Sequence, residues 1–308
     1  MKLIECVPNF SEGRDKDKID EISKAIGLKA KLLNVESDYD HNRTVITFAG
    51  KPKEVLKSAY EGIKKASELI DMSKHTGAHP RIGAADIIPF IPLQGAKMKD
   101  CVKIANKLGG KVGKLGIPVY IYSEAAKKEE RKSQSNIRKG QYEGLEQKMK
   151  QKEWKPDYGP KTFNAKSGAT IIGARKILIA YNVFLSNNDL QLAKDISRSI
   201  RESSGGFKKI QAAGMMVDGL AQVSMNFLDY ETTGVHTVYD EIVKLSNGQV
   251  KGSELIGLMP KQAFIDVGKH YYPKEKDEDI LIEKAIEKLS FKKIGPFDKD
   301  KKIIEYMI

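Results

Sequence analysis

Apolar positions in the first half of the chain alternate between the two-residue spacing of strands and the longer spacing of helices. Short apolar runs predict strands at Leu3–Val7, Lys31–Val35, Thr44–Ala49, Ala84–Ile91 and Ile117–Tyr122. Apolar residues on one helical face predict helices at Asp17–Ile26, Glu54–Ile70 and around Cys101–Leu108. The resulting order is βαββαβ, followed by a further helix and strand.

The second half of the chain repeats this order. Strands are predicted at Lys176–Val183, Ile210–Val217, Ala221–Asp229 and Ser253–Leu258. Helices are predicted at Asp189–Glu202, Thr237–Leu245 and Ile280–Leu289. Two successive βαββαβ units predict an α/β (α+β) fold of two similar subdomains, each a mixed sheet backed by helices. We place the subdomains at residues 1–177 and 178–308.

Two segments do not fit the strand and helix patterns. The glycine-rich segment Gly109–Gly116 matches neither of the usual phosphate-binding glycine motifs, so we expect it to end a helix and turn into the next strand. The Lys- and Gln-rich stretch Ala126–Pro160 predicts a helix and a long connection. Long connections in compact domains often carry function.

Composition and charge exclude several classes of protein. No apolar segment approaches the roughly 20 residues of a membrane helix, and Glu5 interrupts the apolar start too early for a signal peptide. We therefore expect a soluble, cytoplasmic protein without a membrane partner. The net charge of +12 favours anionic partners. Alternating charges, as in Lys127–Lys132, are typical of solvated helix faces, and the chain has no RNA-binding motif, so nucleic acid is not expected.

Two polar clusters follow predicted strands. Pro8–Gly13 leaves the first strand, and it is either a turn with a helix N-cap or part of a site. Glu36–Thr44 forms the turn between the second and third strands, and its polar residues are either solvated or functional. Arg43, which enters a strand, is suited to a bidentate grip on a carboxylate.

The cluster His75–Asp86 contains two of the five histidines of the chain. Gly77 and Pro80 disfavour a regular helix through it, and it contains neither an HExxH motif nor a cysteine, so no metal site is expected. A histidine here either hydrogen-bonds to the backbone or exchanges a proton near neutral pH. Spacing alone leaves both alternatives open.

Taken together, the clusters resemble the glutamate formiminotransferase family, the folate-dependent enzymes of histidine breakdown. The resemblance rests on Glu5–Gly13, Asp40–Val45, His75–Pro89, Ile117–Ala126, Trp154–Pro160, Gly168–Thr170, Gly173–Lys176, Ala221–Asn226, His236–Tyr239 and Pro296–Tyr306. It extends over nearly the whole chain. The expected form is the single-function one, without the cyclodeaminase domain of the bifunctional animal enzymes.

The resemblance implies transfer of the formimino group from N-formimino-L-glutamate to N5 of tetrahydrofolate, which gives 5-formiminotetrahydrofolate and L-glutamate. It also implies two subdomains whose facing sheets enclose a folate tunnel, in a homodimer. Tetrahydrofolate, with or without a polyglutamate tail, is then a co-substrate, and no metal is required. A basic tunnel mouth would suit the carboxylates of both substrates.

Residue roles are also implied by the resemblance. The catalytic general acid/base of the family falls on His79, and an assisting aspartate falls on Glu36. The family usually has an acid where this chain has Ala78. A carboxylate from Glu36 or Asp40, hydrogen-bonded to the ring, would fix its tautomer.

Other residues are expected to bind the two substrates. Asn9, Arg43 and Arg81 are the candidates for formiminoglutamate, and Arg43 is also a candidate catalytic residue. The folate-binding segment of the family falls on Gly159, Pro160, Lys161, Thr162, Phe163, Asn164, Ala165, Lys166, Ser167 and Gly168.

Two alternative functions stay open. The departures at Ala78 and Glu36 allow formyl transfer between 5-formyltetrahydrofolate and glutamate on the same scaffold. The basic charge also allows a folate- or nucleic-acid-binding protein without turnover.

Overall fold

The computed structural model describes residues 1–308 and divides into two compact units, Met1–Lys176 and Ile177–Ile308. Each unit has its own buried apolar core. None of the helices combines the length and the apolar character needed to cross a membrane.

The first unit is built on one mixed sheet. Its strands are β1 Ile4–Cys6, β2 Asn9–Phe10, β3 Lys31–Asp38, β4 Arg43–Gly50, β5 Ala85–Pro92, β6 Val119–Ser123 and β7 Thr170–Ala174. Both β1 and β2 lie between β4 and β5, and the spatial order is β3-β4-(β1, β2)-β5-β7-β6. The β3–β4 pair is an antiparallel hairpin, whereas β5, β7 and β6 run parallel.

Five helices belong to this unit: α1 Lys16–Gly27, α2 Pro52–Leu69, α3 Met98–Gly113, α4 Gln134–Arg138 and α5 Gln141–Lys150. Asp15 caps α1 by accepting a hydrogen bond from the Lys18 amide, and Pro52 opens α2, where its missing N–H costs nothing. The apolar faces of α2 and α3 pack against each other and the sheet. The short helices α4 and α5 occupy the predicted connection between β6 and β7.

The second unit has a simpler sheet. Its strands are β8 Ile179–Leu185, β9 Ile210–Val217, β10 Leu220–Phe227 and β11 Val250–Ile256, in the order β11-β8-β10-β9. Its helices are α6 Leu190–Ile200, α7 Val235–Leu245, α8 Lys261–Tyr271, α9 Glu278–Lys288 and α10 Ile304–Met307. The predicted βαββαβ order is confirmed in both units. The second sheet, however, is wholly antiparallel rather than mixed.

Some predicted boundaries were wrong. Residues 176–178 lie outside any strand, and the strand predicted from Lys176 begins at Ile179. The sequence analysis also missed β7 and α8. The five residues of β7 are all buried between two parallel neighbours, so they lack the polar alternation that marks a half-exposed strand.

The glycine-rich segment ends the helix as expected, although α3 continues into it as far as Gly113. A side chain on Gly109 would meet the Tyr158 ring at 2.7 Å, and one on Gly113 would meet the Gly159 amide nitrogen at 2.6 Å. These glycines therefore let the chain after α5 pack directly on the helix. The turn out of the helix comes at Gly116, whose φ is +81°.

Arg131 contradicts the expectation that Lys127–Lys132 is a solvated face, because its side chain is fully buried. It forms an ion pair with Asp157 and donates hydrogen bonds to the carbonyls of Glu153 and Lys155. Asp157 in turn accepts a hydrogen bond from the Ile121 amide at 2.8 Å. This network attaches the connection after β6 to the strand itself.

Replacing this arginine should therefore be costly. We expect Arg131→Met to lower the free energy of unfolding of the first unit by about 3–5 kcal/mol, since Asp157 would remain as a buried, unpaired charge. Urea denaturation measures this. Arg198→Met removes an exposed pair with Asp195 and should cost less than about 1 kcal/mol. Equal losses in the two variants would contradict the structural role of Arg131.

Candidate active site

Residues 75–84 connect α2 to β5 and carry the histidine cluster without forming a helix or strand of their own. This segment is attached to the turn of the β3–β4 hairpin. The Ala78 amide donates to the Asp40 carbonyl at 3.2 Å, and the Asn42 side chain donates to the Thr76 carbonyl at 2.8 Å. A side chain on Gly77 would meet the His41 carbonyl oxygen at 2.5 Å, so only glycine allows this approach.

His75 is held by two hydrogen bonds. Its Nδ1 accepts from Arg81 Nε at 3.3 Å, so the ring proton lies on Nε2, which donates to the Asn42 carbonyl at 3.1 Å. Burial lowers the pKa of His75 and favours the neutral ring. Its contacts are those of a structural histidine.

His79 has a different environment. Burial lowers its pKa from the ordinary 6.5 to about 3, and the nearby charges of Arg138, Arg43 and Arg81 act in the same direction. The ring is therefore neutral at neutral pH and has a lone pair with which to accept a proton. His41 contributes as well, with its ring edge-on to that of His79 at a centroid distance of 6.5 Å.

The three arginines around His79 are not equivalent. Arg81 is buried and makes a bidentate ion pair with Glu143, with nitrogen–oxygen distances of 2.6 and 3.0 Å. Arg138 pairs with Asp86, which is buried on β5. To bind a substrate carboxylate, Arg81 would have to release Glu143, so its predicted binding role stays a prediction.

The guanidinium of Arg43 has a hydrogen-bond donor that is not used. Its Nη1 lies 3.5 Å from Asn9 Oδ1, at the outer limit of a hydrogen bond, and its Nε is buried without a partner. The structure thus brings together Asn9 and Arg43, two of the predicted substrate-binding residues. A guanidinium with an unused donor is suited to a carboxylate.

The two carboxylates predicted to assist His79 both lie on the β3–β4 hairpin, Glu36 in β3 and Asp40 in the turn. Glu36 lies on β3 opposite Val45, and its charge acts on Arg43. The carboxylate–imidazole pair of this region joins Asp38 to His41 instead, at 2.8 Å. The assisting role of Glu36 stays a prediction.

The segment predicted to bind folate lies beside the histidine segment. The Ala84 amide donates to the Ser167 carbonyl at 3.0 Å, and the Ala169 amide donates to the Ile82 carbonyl at 2.9 Å. Gly83 and Gly168 form a β-bridge between them, and a side chain on either glycine would strike the opposite backbone. The end of 159–168 is therefore fixed only a few residues from His79.

The rest of this segment is more open. Lys161, Thr162 and Lys166 are exposed. The Phe163 ring packs on Tyr142 at a centroid distance of 5.4 Å, and Asn164 donates to the Gly116 carbonyl at 2.9 Å. The segment thus presents basic side chains and aromatic surface on a backbone held at both ends.

Sequence reasoning missed Arg138 and Glu143. Both lie in the connection between β6 and β7, where single charged residues among many others have no distinguishing local pattern. Their importance comes from partners 52 and 62 residues away in the chain. Only the fold brings them to His79 and Arg81.

Both units of the chain are similar to known proteins. Residues 3–175 match the model of the formiminotransferase domain, N-terminal subdomain, and residues 180–308 match the formiminotransferase domain model. A glutamate formimidoyltransferase of Thermoplasma acidophilum is 46% identical, over 94% of this chain and 98% of its own length. The Streptococcus pyogenes protein of that name is 39% identical, over 88% of this chain and 93% of its own.

Longer proteins are similar as well. The formimidoyltransferase-cyclodeaminase of Mus musculus is 43% identical to this chain along its full length. The chain spans 60% of that mouse protein, and the same share of the Dictyostelium discoideum one.

The lowered pKa of His79 predicts a specific dependence of stability on pH. Its folded-state pKa of about 3 lies below the ordinary 6.5, so the unfolded chain binds the proton more tightly. The contribution of neutral His79 to the free energy of unfolding is therefore complete above pH 6.5 and is lost as the pH falls towards 3. Between pH 7 and pH 5, the wild type should lose about 2 kcal/mol more than His79→Gln in urea unfolding. A constant difference between the two proteins would contradict the lowered pKa.

Proposed function

The chain belongs to the formiminotransferase family, and we propose that it transfers the formimino group of N-formimino-L-glutamate to N5 of tetrahydrofolate. The products are 5-formiminotetrahydrofolate and L-glutamate, so the protein is a one-carbon group transferase acting in histidine degradation. The observation that carries the proposal is His79, a neutral imidazole among three arginines and beside residues 159–168.

A neutral imidazole is suited to the first step. N5 of tetrahydrofolate must lose a proton as it bonds to the amidine carbon, and His79 can accept it. Burial, assisted by its arginine neighbours, holds the ring neutral before the reaction, so a proton acceptor is present over a wide pH range. Carboxylates of the bound substrates would offset the arginine charges and make the ring a better base.

The charged residues support anionic substrates. Arg43 has a buried, unused donor and lies beside Asn9, which suits one carboxylate of formiminoglutamate. Lys161 and Lys166 are exposed on the segment beside His79, which suits the glutamate portion of the folate. Much of the rate enhancement should come from positioning two substrates against one imidazole.

Further features remain expectations of this proposal. We expect tetrahydrofolate to bind with or without a polyglutamate tail, and the enzyme to act in the cytoplasm as a homodimer. These expectations rest on the family resemblance and on the basic charge of the chain.

A paired turnover assay tests the reaction. One sample contains tetrahydrofolate and formiminoglutamate, the other 5-formyltetrahydrofolate and glutamate, and the folate products are followed in both. We expect turnover in the first sample, and a loss of at least ~100-fold in His79→Asn, the usual scale for a missing acid–base group. Turnover confined to the second sample would indicate a formyl transferase instead.

The His79 variant needs a test of its structure. Asparagine keeps a polar side chain at this position, so circular dichroism and binding of 5-formyltetrahydrofolate should be preserved. Retained turnover in a folded His79→Asn protein would remove His79 from the mechanism.

Arg43 should act on substrate binding. We expect Arg43→Gln to raise the KM for formiminoglutamate at least ~10-fold, because a charged hydrogen bond to a carboxylate is worth about 1.5–3 kcal/mol. The KM for tetrahydrofolate should change much less. Steady-state kinetics with each substrate varied in turn distinguishes the two effects. An equal rise in both KM values would mean that Arg43 supports the fold of the site rather than one carboxylate.

A further inference from the structure

A second histidine at the candidate site has a carboxylate partner of its own. Asp38 is the last residue of β3, and His41 lies in the turn that leads to β4. One carboxylate oxygen of Asp38 accepts from the His41 amide at 2.8 Å, and the other pairs with His41 Nδ1 at 2.8 Å. This pair fixes the ring proton on Nδ1 and leaves Nε2 available for proton exchange.

The turn is rigidly attached to the segment that carries His79. Asn42 has a left-handed φ of 47°, and its side chain spans from the Gly13 amide to the Thr76 carbonyl. The Asp40 carbonyl accepts from Ala78, the residue before His79. These contacts hold the residues on either side of His41 against the segment just before His79.

The two rings are close enough to serve one reacting group. Their centroids are 6.5 Å apart at an interplanar angle of 66°, which is an edge-to-face contact. A proton-transfer group must lie within hydrogen-bond reach of the atom it serves. A small polar group bound beside this contact could reach a nitrogen of each imidazole.

The charges around the two rings differ in sign. His79 faces the guanidinium groups of Arg138, Arg43 and Arg81. His41 faces the bound carboxylate of Asp38, with Asp40 next to it in the turn. Arg14 donates to the Tyr39 carbonyl, and the charge of Arg43 acts on Asp38. A cationic environment favours a neutral proton acceptor, and a ring hydrogen-bonded to a carboxylate is suited to donate a proton.

The pKa of Asp38 reflects its pairing with His41. Burial alone would raise the pKa of Asp38. The hydrogen bonds from the His41 amide and ring, together with the positive charge nearby, instead bring this pKa below its usual value. The carboxylate is thus ionised at neutral pH and available to balance an imidazolium.

We propose that His41 is a second catalytic residue, the general acid that protonates the departing glutamate nitrogen while His79 accepts the proton from N5. Asp38 is then its positioning residue. The inference rests on the proposed formimino transfer and assigns its two proton transfers to two different rings.

The two transfers balance. N5 forms a bond to the amidine carbon and gives its proton to His79. The bond from that carbon to the glutamate nitrogen then breaks, and this nitrogen takes a proton from His41. His79 ends with one proton more and His41 with one fewer, and exchange with solvent restores both. No further reactant is needed.

His41→Asn provides the test. The asparagine amide can still donate to Asp38, so the turn keeps its hydrogen bond, but the side chain cannot supply a proton. We expect kcat for formimino transfer to fall at least ~30-fold, with both KM values within about threefold of the wild type. The fall of kcat at alkaline pH, where the acid of the wild type is deprotonated, should disappear in the variant.

A matched control is available in the second unit. His270 is also exposed and pairs with a carboxylate, Asp240, at 3.0 Å. His270→Asn makes the same change at a histidine of the second unit and should keep kcat and its pH profile within twofold of the wild type. A similar loss in both variants would contradict a specific role for His41.

The outcomes separate this inference from the proposed function. If the wild type does not transfer the formimino group, the proposed function fails and the His41 role with it. If the wild type is active and His41→Asn keeps its kcat and its alkaline limb, only the His41 role is overturned. If His41→Asn loses 5-formyltetrahydrofolate binding but keeps the fall of kcat at alkaline pH, His41 has a structural role, and its proposed catalytic role is overturned as well. Should His41→Asn not fold, His41→Gln replaces it in the same measurements.

Discussion

The arrangement of the first unit depends on three ion pairs in which a largely buried arginine side chain is paired with a carboxylate. Arg131 pairs with Asp157, Arg138 with Asp86 and Arg81 with Glu143. The first pair lies within the connection between β6 and β7. The second joins this connection to β5, and the third joins it to the histidine segment. Removing one partner of such a pair leaves an uncompensated charge, which costs more than the pair contributes. The connection is long and irregular, yet these pairs leave it little freedom.

The same arginines give the site its electrostatic character. Arg138 and Arg81 are held near His79 by carboxylates that their structural role requires, and there they disfavour protonation of the ring. Arg43 adds a third cation whose hydrogen-bonding capacity is only partly used. Structure and charge are thus coupled, because the arginines that hold the segment in place also act together with burial to keep the His79 ring neutral.

Glycines make the close contacts of this region possible. Gly77 lies against the His41 carbonyl, and Gly83 and Gly168 face each other across a bridge. At each position a side chain would collide with backbone, which cannot move aside as a flexible side chain can. The hairpin turn and residues 159–168 consequently both approach the histidine segment to backbone distance.

The sequence by itself determined the βαββαβ order of both units, because strand and helix periodicities are local properties of the chain. It also identified His79, Asn9 and Arg43 as candidates, since their motifs are local too. It did not reveal β7, whose burial between parallel neighbours removes the alternation that marks a strand, or the continuation of α3 through its glycines. Only the tertiary structure decided the partners of Arg81 and Arg138, and the pairing of Asp38 with His41 beside His79. Hydrogen bonds and ion pairs between distant segments depend on where the backbone brings them, which no local pattern records.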